Sequence, residues 1–117
     1  MQAMAEAQWT VDYYLQASGR CPVREWLFEL TAGARAEVML TIELLERHGL
    51  DLGMPFVKPV EGKLYEVRAK DKDGIYRVFY FARTGRRFVM LHGFTKKTQQ
   101  TPRKEIEIAK KRMKEIE

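Results

Sequence analysis

Cysteine is almost missing from this chain: Cys21 is the only one in 117 residues. A single thiol excludes an intrachain disulfide framework, which fits a reducing cytosol and a cytoplasmic protein. It precedes Pro22 and reads as a small apolar filler rather than a nucleophile. Histidine is nearly as scarce, with only His48 and His92, so there is no zinc-ligand cluster, and neither a metal nor a cofactor is expected. No apolar run approaches the ~20 residues that span a bilayer. The N-terminus has no basic stretch followed by an apolar one, so no signal peptide is indicated. Internal repeats and low-complexity tracts are absent. Lysine does not occur before Lys58.

That last absence exposes a polarity. Residues 1–57 carry four arginines against eight acids, a net of −4, while residues 58–117 carry 17 basic residues against eight acids, a net of +9. A basic half of this kind suits phosphate backbones, although lysine and arginine also solubilise ordinary surfaces. At 117 residues with 45% hydrophobic content, one domain with a real core is expected, residues 1–8 being disordered or added.

Trp9–Leu15 alternates and is rich in β-formers, which predicts an edge strand. Val23, Trp26, Leu27 and Leu30 predict a short helix over Pro22–Leu30. Val38, Ile42 and Leu45 predict a longer one over Ala34–His48, stopped by Gly49. Asp51–Pro59, with Gly53, Pro55 and Pro59, reads as a loop. Three strands follow, Leu64–Lys70, Ile75–Arg83 and Arg87–Phe94, with hairpin signals at Asp73-Gly74 and Thr84-Gly85. Thr101 as N-cap and Pro102 in first position open a last helix, with Ile106, Ala109, Met113 and Ile116 on one face. The order β-α-α-β-β-β-α gives an α+β fold: a mainly antiparallel sheet, an αα-hairpin and a C-terminal helix, the helices on one face.

Strand alternation then sorts the side chains. Val67, Val78, Val89 and Leu91 fall under the helices. The opposite face gathers Arg68, Arg77, His92 and Lys96 with Phe79 and Phe94. Unpaired cations are costly in a buried sheet, so such a face is expected to meet an anion. Cations beside flat rings suit single-stranded RNA, through phosphate attraction and base stacking. The plainer alternatives are a Glu66–Arg77 ion pair across the strands and a packed core histidine at 92.

The stretches Leu64-Tyr65-Glu66-Val67-Arg68, Tyr76-Arg77-Val78-Phe79-Tyr80, Leu91-His92-Gly93-Phe94-Thr95-Lys96-Lys97-Thr98 and Thr101-Pro102-Arg103-Lys104-Glu105-Ile106 together resemble the RelE/HigB-like toxins, most closely their phage-derived host-inhibition subgroup. The likeness covers roughly residues 10–115. It implies a toxin of a type II toxin–antitoxin pair that cuts mRNA, often on the ribosome, and is held by a helix-turn-helix, HigA-like antitoxin. Arg68, Arg77, Lys96 and Lys97 match the family's functional basic positions. No tyrosine follows Phe94 and no histidine ends the chain, two departures from some members. The chemistry expected is metal-independent attack of the RNA 2′-OH. Arg68 and Arg77 clamp the phosphate, Lys96 or Lys97 steadies the leaving oxygen, and His92 is the candidate acid or base. Lys58, Lys63, Phe79, Arg83, Phe94, Arg103 and Lys104 are the expected RNA contacts. The alternative is a non-catalytic RNA-binding or inactivated toxin module that binds only its antitoxin.

Overall fold

The structure is a computed structural model that describes residues 8–117, so the expectation for the first seven residues lies outside the described residues. Among the described residues five strands and three α-helices run in the order β1 (Thr10–Tyr13), α1 (Pro22–Glu29), α2 (Ala32–His48), β2 (Val57–Glu61), β3 (Leu64–Asp71), β4 (Gly74–Arg83), β5 (Arg87–Lys96) and α3 (Arg103–Ile116), with a 3₁₀ turn at Gly49–Asp51 after α2. The sheet order is β1-β5-β4-β3-β2. All neighbours are antiparallel except β1, which lies parallel to β5. The α+β class stands, with β1 at an edge as expected.

Local chemistry sets the boundaries. The Thr31 hydroxyl accepts from Ala34 N–H, so α2 begins at Ala32, two residues earlier than the periodicity suggested. Arg35 ties α2 to α1 by donating to the exposed carbonyls of Leu27, Phe28 and Leu30 at the C-terminal end of α1. Gly49, at φ +59°, ends α2 where a side chain would run into the Trp9 ring. At the other end, α3 starts at Arg103 with Pro102 as its N-cap, one position later than expected and without a side-chain cap.

Three expectations are corrected. The loop expected over Asp51–Pro59 ends in strand β2, paired with β3 from Val57↔Val67 to Glu61↔Leu64. Pro59 hid it, yet proline is tolerated on an edge strand, where its missing N–H breaks no shared ladder. The helices do not share a face. α1 and α2 cover Val67, Tyr76, Val78, Tyr80, Phe88 and Met90, whereas α3 packs Ala109 and Met113 against Leu64, Phe79, Phe81, Val89 and Leu91 on the other side. Val89 and Leu91 therefore lie under α3, not with Val67 and Val78.

The cause of the last change is a bulge in β5. Phe79 pairs with His92 but Tyr80 pairs with Met90, leaving Leu91 as the extra residue. One added residue reverses parity beyond it. Residues 92–96 thus keep the assignment made from alternation, and residues 88–90 take the reverse one.

Candidate functional site

The α3 face of the sheet has two halves. One, around Leu64, Phe81 and Val89, is dry and covered by the apolar side of α3. The other carries charge. Across β2, β3, β4 and β5, Lys58, Glu66, Phe79 and His92 lie in one row. In the next row Arg68, Arg77 and Phe94 are aligned, and Lys96 follows opposite Ile75. Arg68, Arg77, His92 and Lys96 are thus brought to one face, as alternation suggested.

Arg68 and Arg77 are direct cross-strand partners, a juxtaposition that like charges disfavour. Glu66 compensates it. Its Oε2 lies 3.3 Å from Arg68 Nε and 3.5 Å from Arg77 Nε, so the expected Glu66–Arg77 ion pair exists and includes Arg68. The carboxylate and Arg77 are both buried, each side chain 8% exposed. Among the described residues neither Nε has a hydrogen-bond acceptor, although both are buried. Arg77 Nη1 donates to the Tyr76 carbonyl at 3.0 Å, and Arg68 Nη1 donates to the Met54 sulfur at 3.1 Å. Burial lowers the Arg77 pKa, an effect that Glu66 opposes and Arg68 reinforces.

Lys96 completes the cluster. It is buried, and its Nζ donates to the Gln99 carbonyl at 2.7 Å. Burial lowers its pKa below the usual 10.5, and the fields of Arg77, Arg68 and Lys58 lower it further against Glu66. Arg68 and Arg77 open onto a cleft of about 440 Å³ walled by Glu37, Thr41, Pro55 and Phe56. Lys97 is exposed in a second cleft, with Lys70 and Lys72, at the β3–β4 tip.

The remaining expectations fare differently. His92 is held by α3: its Nε2 lies 2.6 Å from Glu105 Oε1, and Arg112 Nη1 lies 3.4 Å from its Nδ1 while donating to the Leu91 carbonyl. Burial lowers the imidazole pKa despite the Glu105 carboxylate. Phe79 is fully buried and Phe94 nearly so, with ring centroids 5.1 Å apart, and Phe94 stacks on His92. These rings belong to the core and show no open face to a base, which corrects the expectation of a stacking platform. Lys58 stays at the cluster, exposed opposite Glu66.

Arg83 stands apart, six positions beyond Arg77 along β4 and so roughly 20 Å away. Lys63 sits at the β2–β3 turn facing Glu117. Arg103 is engaged by Glu61 and Glu107, while Lys104 is exposed on the first turn of α3. Sequence reasoning missed Glu105 and Arg112 as partners of His92. Their spacing of seven residues, two helical turns on one side of α3, was the available signal.

Residues 25–114 match the family described as phage derived protein Gp49-like. A protein of Mycobacterium tuberculosis named "Probable endoribonuclease HigB1" is 33% identical over 97 residues, covering 82% of this chain and 74% of that protein, and the same holds in two strains.

Proposed function

This chain belongs to the phage-derived Gp49-like family, among the RelE/HigB-like toxins, and from that premise we propose that it is the toxin of a type II toxin–antitoxin pair and cleaves mRNA. The observation that carries the reading is the Arg68–Arg77 pair, whose buried Nε groups lack acceptors among the described residues, opening onto a cleft, with Lys96 on the same face of the sheet. Such a clamp suits the phosphodiester of a single strand, and the M. tuberculosis relative's name as an endoribonuclease supports it.

RNA carries its own nucleophile. The 2′-oxygen attacks the adjacent phosphorus, the bond from phosphorus to O5′ breaks, and a 2′,3′-cyclic phosphate and a 5′-hydroxyl result. No metal is needed for this path. Arg68 and Arg77 take the non-bridging oxygens, whose charge grows in the pentavalent transition state. Glu66, whose Oε2 faces both guanidinium groups, accepts the 2′-OH proton. Lys96 gives a proton to O5′, and its lowered pKa makes it a better donor near neutral pH. Lys97, Lys58 and the tip lysines hold flanking phosphates. His92, with both ring nitrogens engaged, serves as a positioning residue that seats α3 beside the clamp. The partners in this reading are mRNA in the ribosomal A site and a helix-turn-helix antitoxin, all in the cytoplasm.

The test is end-mapping of translated mRNA after induction of the wild-type chain, Arg77→Ala and Lys96→Ala. The expected result is new 5′-hydroxyl ends with the wild type and a loss of about 10²-fold or more with Arg77→Ala, whose circular dichroism stays native. Normal cleavage by Arg77→Ala would remove the assigned role. RNA bound in a salt-dependent manner but left intact by the wild type would favour the binding-only module.

A further inference from the structure

We propose that Glu66 is an internal stand-in for a tetrahedral oxyanion: in the free protein its carboxylate occupies the Arg68–Arg77 clamp, and an incoming phosphate displaces it. The inference rests on the clamp being the RNA site, but it concerns ground-state binding rather than cleavage.

Three observations carry it. First, one oxygen atom, Glu66 Oε2, serves both guanidinium groups, at 3.3 and 3.5 Å. Those contacts neutralise charge without satisfying donors, since both Nε groups remain without an acceptor. A guanidinium is best met by two oxygens in its plane, and a phosphate has enough oxygens to offer each arginine such a pair. Second, the remaining contacts are easily exchanged. The Met54 sulfur at Arg68 Nη1 is a weak acceptor, and Tyr76 supplies only a single carbonyl to Arg77. Third, Glu66 leaves charge uncompensated. Arg68, Arg77 and Lys96 outnumber it on the same face, with Lys58 directly across in β2. An added anion therefore meets net positive potential even with the carboxylate in place, and the cleft that Arg68 and Arg77 share with Lys70 against the single carboxylate of Glu37 gives it entry.

The carboxylate then acts in two ways. It stabilises the empty fold by separating two opposed arginines, and it weakens binding of every anion by competing for them. Removing its charge should reverse both effects. The experiment compares the wild-type chain with Glu66→Gln, using isothermal titration with inorganic phosphate, then with a short deoxyoligonucleotide that lacks the 2′-OH and cannot be cut. Glu66→Gln should bind phosphate about tenfold more tightly. Its melting temperature should fall in low salt and recover with phosphate more than with chloride at equal ionic strength. Adding Arg77→Ala to Glu66→Gln should abolish the gain. A gain with both probes identifies backbone phosphodiesters as the natural ligand class, and a gain with inorganic phosphate alone identifies free phosphate. Unchanged or weaker phosphate binding by Glu66→Gln overturns the proposal. If Glu66→Gln does not fold, Glu66→Asp, which withdraws the carboxylate by one methylene, must show a smaller gain in the same direction. RNA cleavage is scored separately: the anion gain stands or falls whether or not the wild type cuts RNA.

Discussion

Two guanidinium groups set opposite each other across a strand pair repel, and Arg68 and Arg77 are kept there by a single carboxylate. Substitutions that keep the charge but lose the planar fork should therefore be informative. Arg77→Lys should fold and bind RNA, yet lose about 10- to 100-fold in cleavage rate, because an ammonium cannot hold two phosphate oxygens in one plane. Lys96 supplies a pH test. If its ammonium donates to the leaving oxygen, cleavage must fall as pH rises through its folded pKa, which burial and Arg77 hold below 10.5. The alkaline limb should thus lie below 10.5 and move upward in Lys96→Arg, as a pH–rate profile would show. Both arginines and Lys96 were legible from alternation because they lie on the same side of the β5 bulge. Glu66 was legible as an ion-pair partner; its sharing between two arginines was not, since a cross-strand diagonal follows only from the register.

Among the elements, α3 is held by a thin apolar seam and by polar ties at its flanks. Ala109 and Met113 are buried against the sheet, with Ile106 and Ile116 partly so. Around them Glu61 pairs with Arg103 and Lys110, Tyr14 donates to Glu115, and Glu105 meets His92. Glu61 is held down to a pKa of about 2, from 4.5, by Arg103 first and Lys110 second. A carboxylate with a depressed folded pKa contributes stability that is present above 4.5 and lost as pH falls toward about 2. His92 acts in the same sense: burial lowers its pKa below 6.5, so acidification favours any state that hydrates the imidazole. Amide hydrogen exchange should therefore show α3 losing protection in acid, and Glu61→Gln should flatten the dependence between about 4.5 and 2. The helix itself was plain in the sequence from its apolar spacing. Which face of the sheet it would choose was not, because an amphipathic stripe fits any apolar surface and the bulge that creates its seat leaves no mark in composition. β2 was hidden by the same proline that suits it to an edge.

At the scale of the whole molecule, the net +9 of residues 58–117 belongs to the segment that forms β2–β5 and α3. If Arg68, Arg77, Lys96 and one further lysine meet phosphates, log K for single-stranded RNA should fall against log salt with a slope of about −2 to −3. Filter binding between low and physiological salt would measure it. The fold carrying that surface depends on a tight contact far from it in chemistry: a Cβ on Gly93 would lie 2.3 Å from Trp26 Cε3. Gly93→Ala should push α1 away from β5 and cost about 1–3 kcal/mol in chemical denaturation.

The surplus residue at Leu91 makes strand length a hidden determinant of chemistry. A ladder that took Leu91 in as an ordinary paired residue would leave every basic side chain in the chain. It would also turn His92, Phe94 and Lys96 inward beneath α1 and α2, away from the arginines. Among distant relatives, then, whether the ladder carries a bulge between Val89 and His92 is as telling as the identity of the cations.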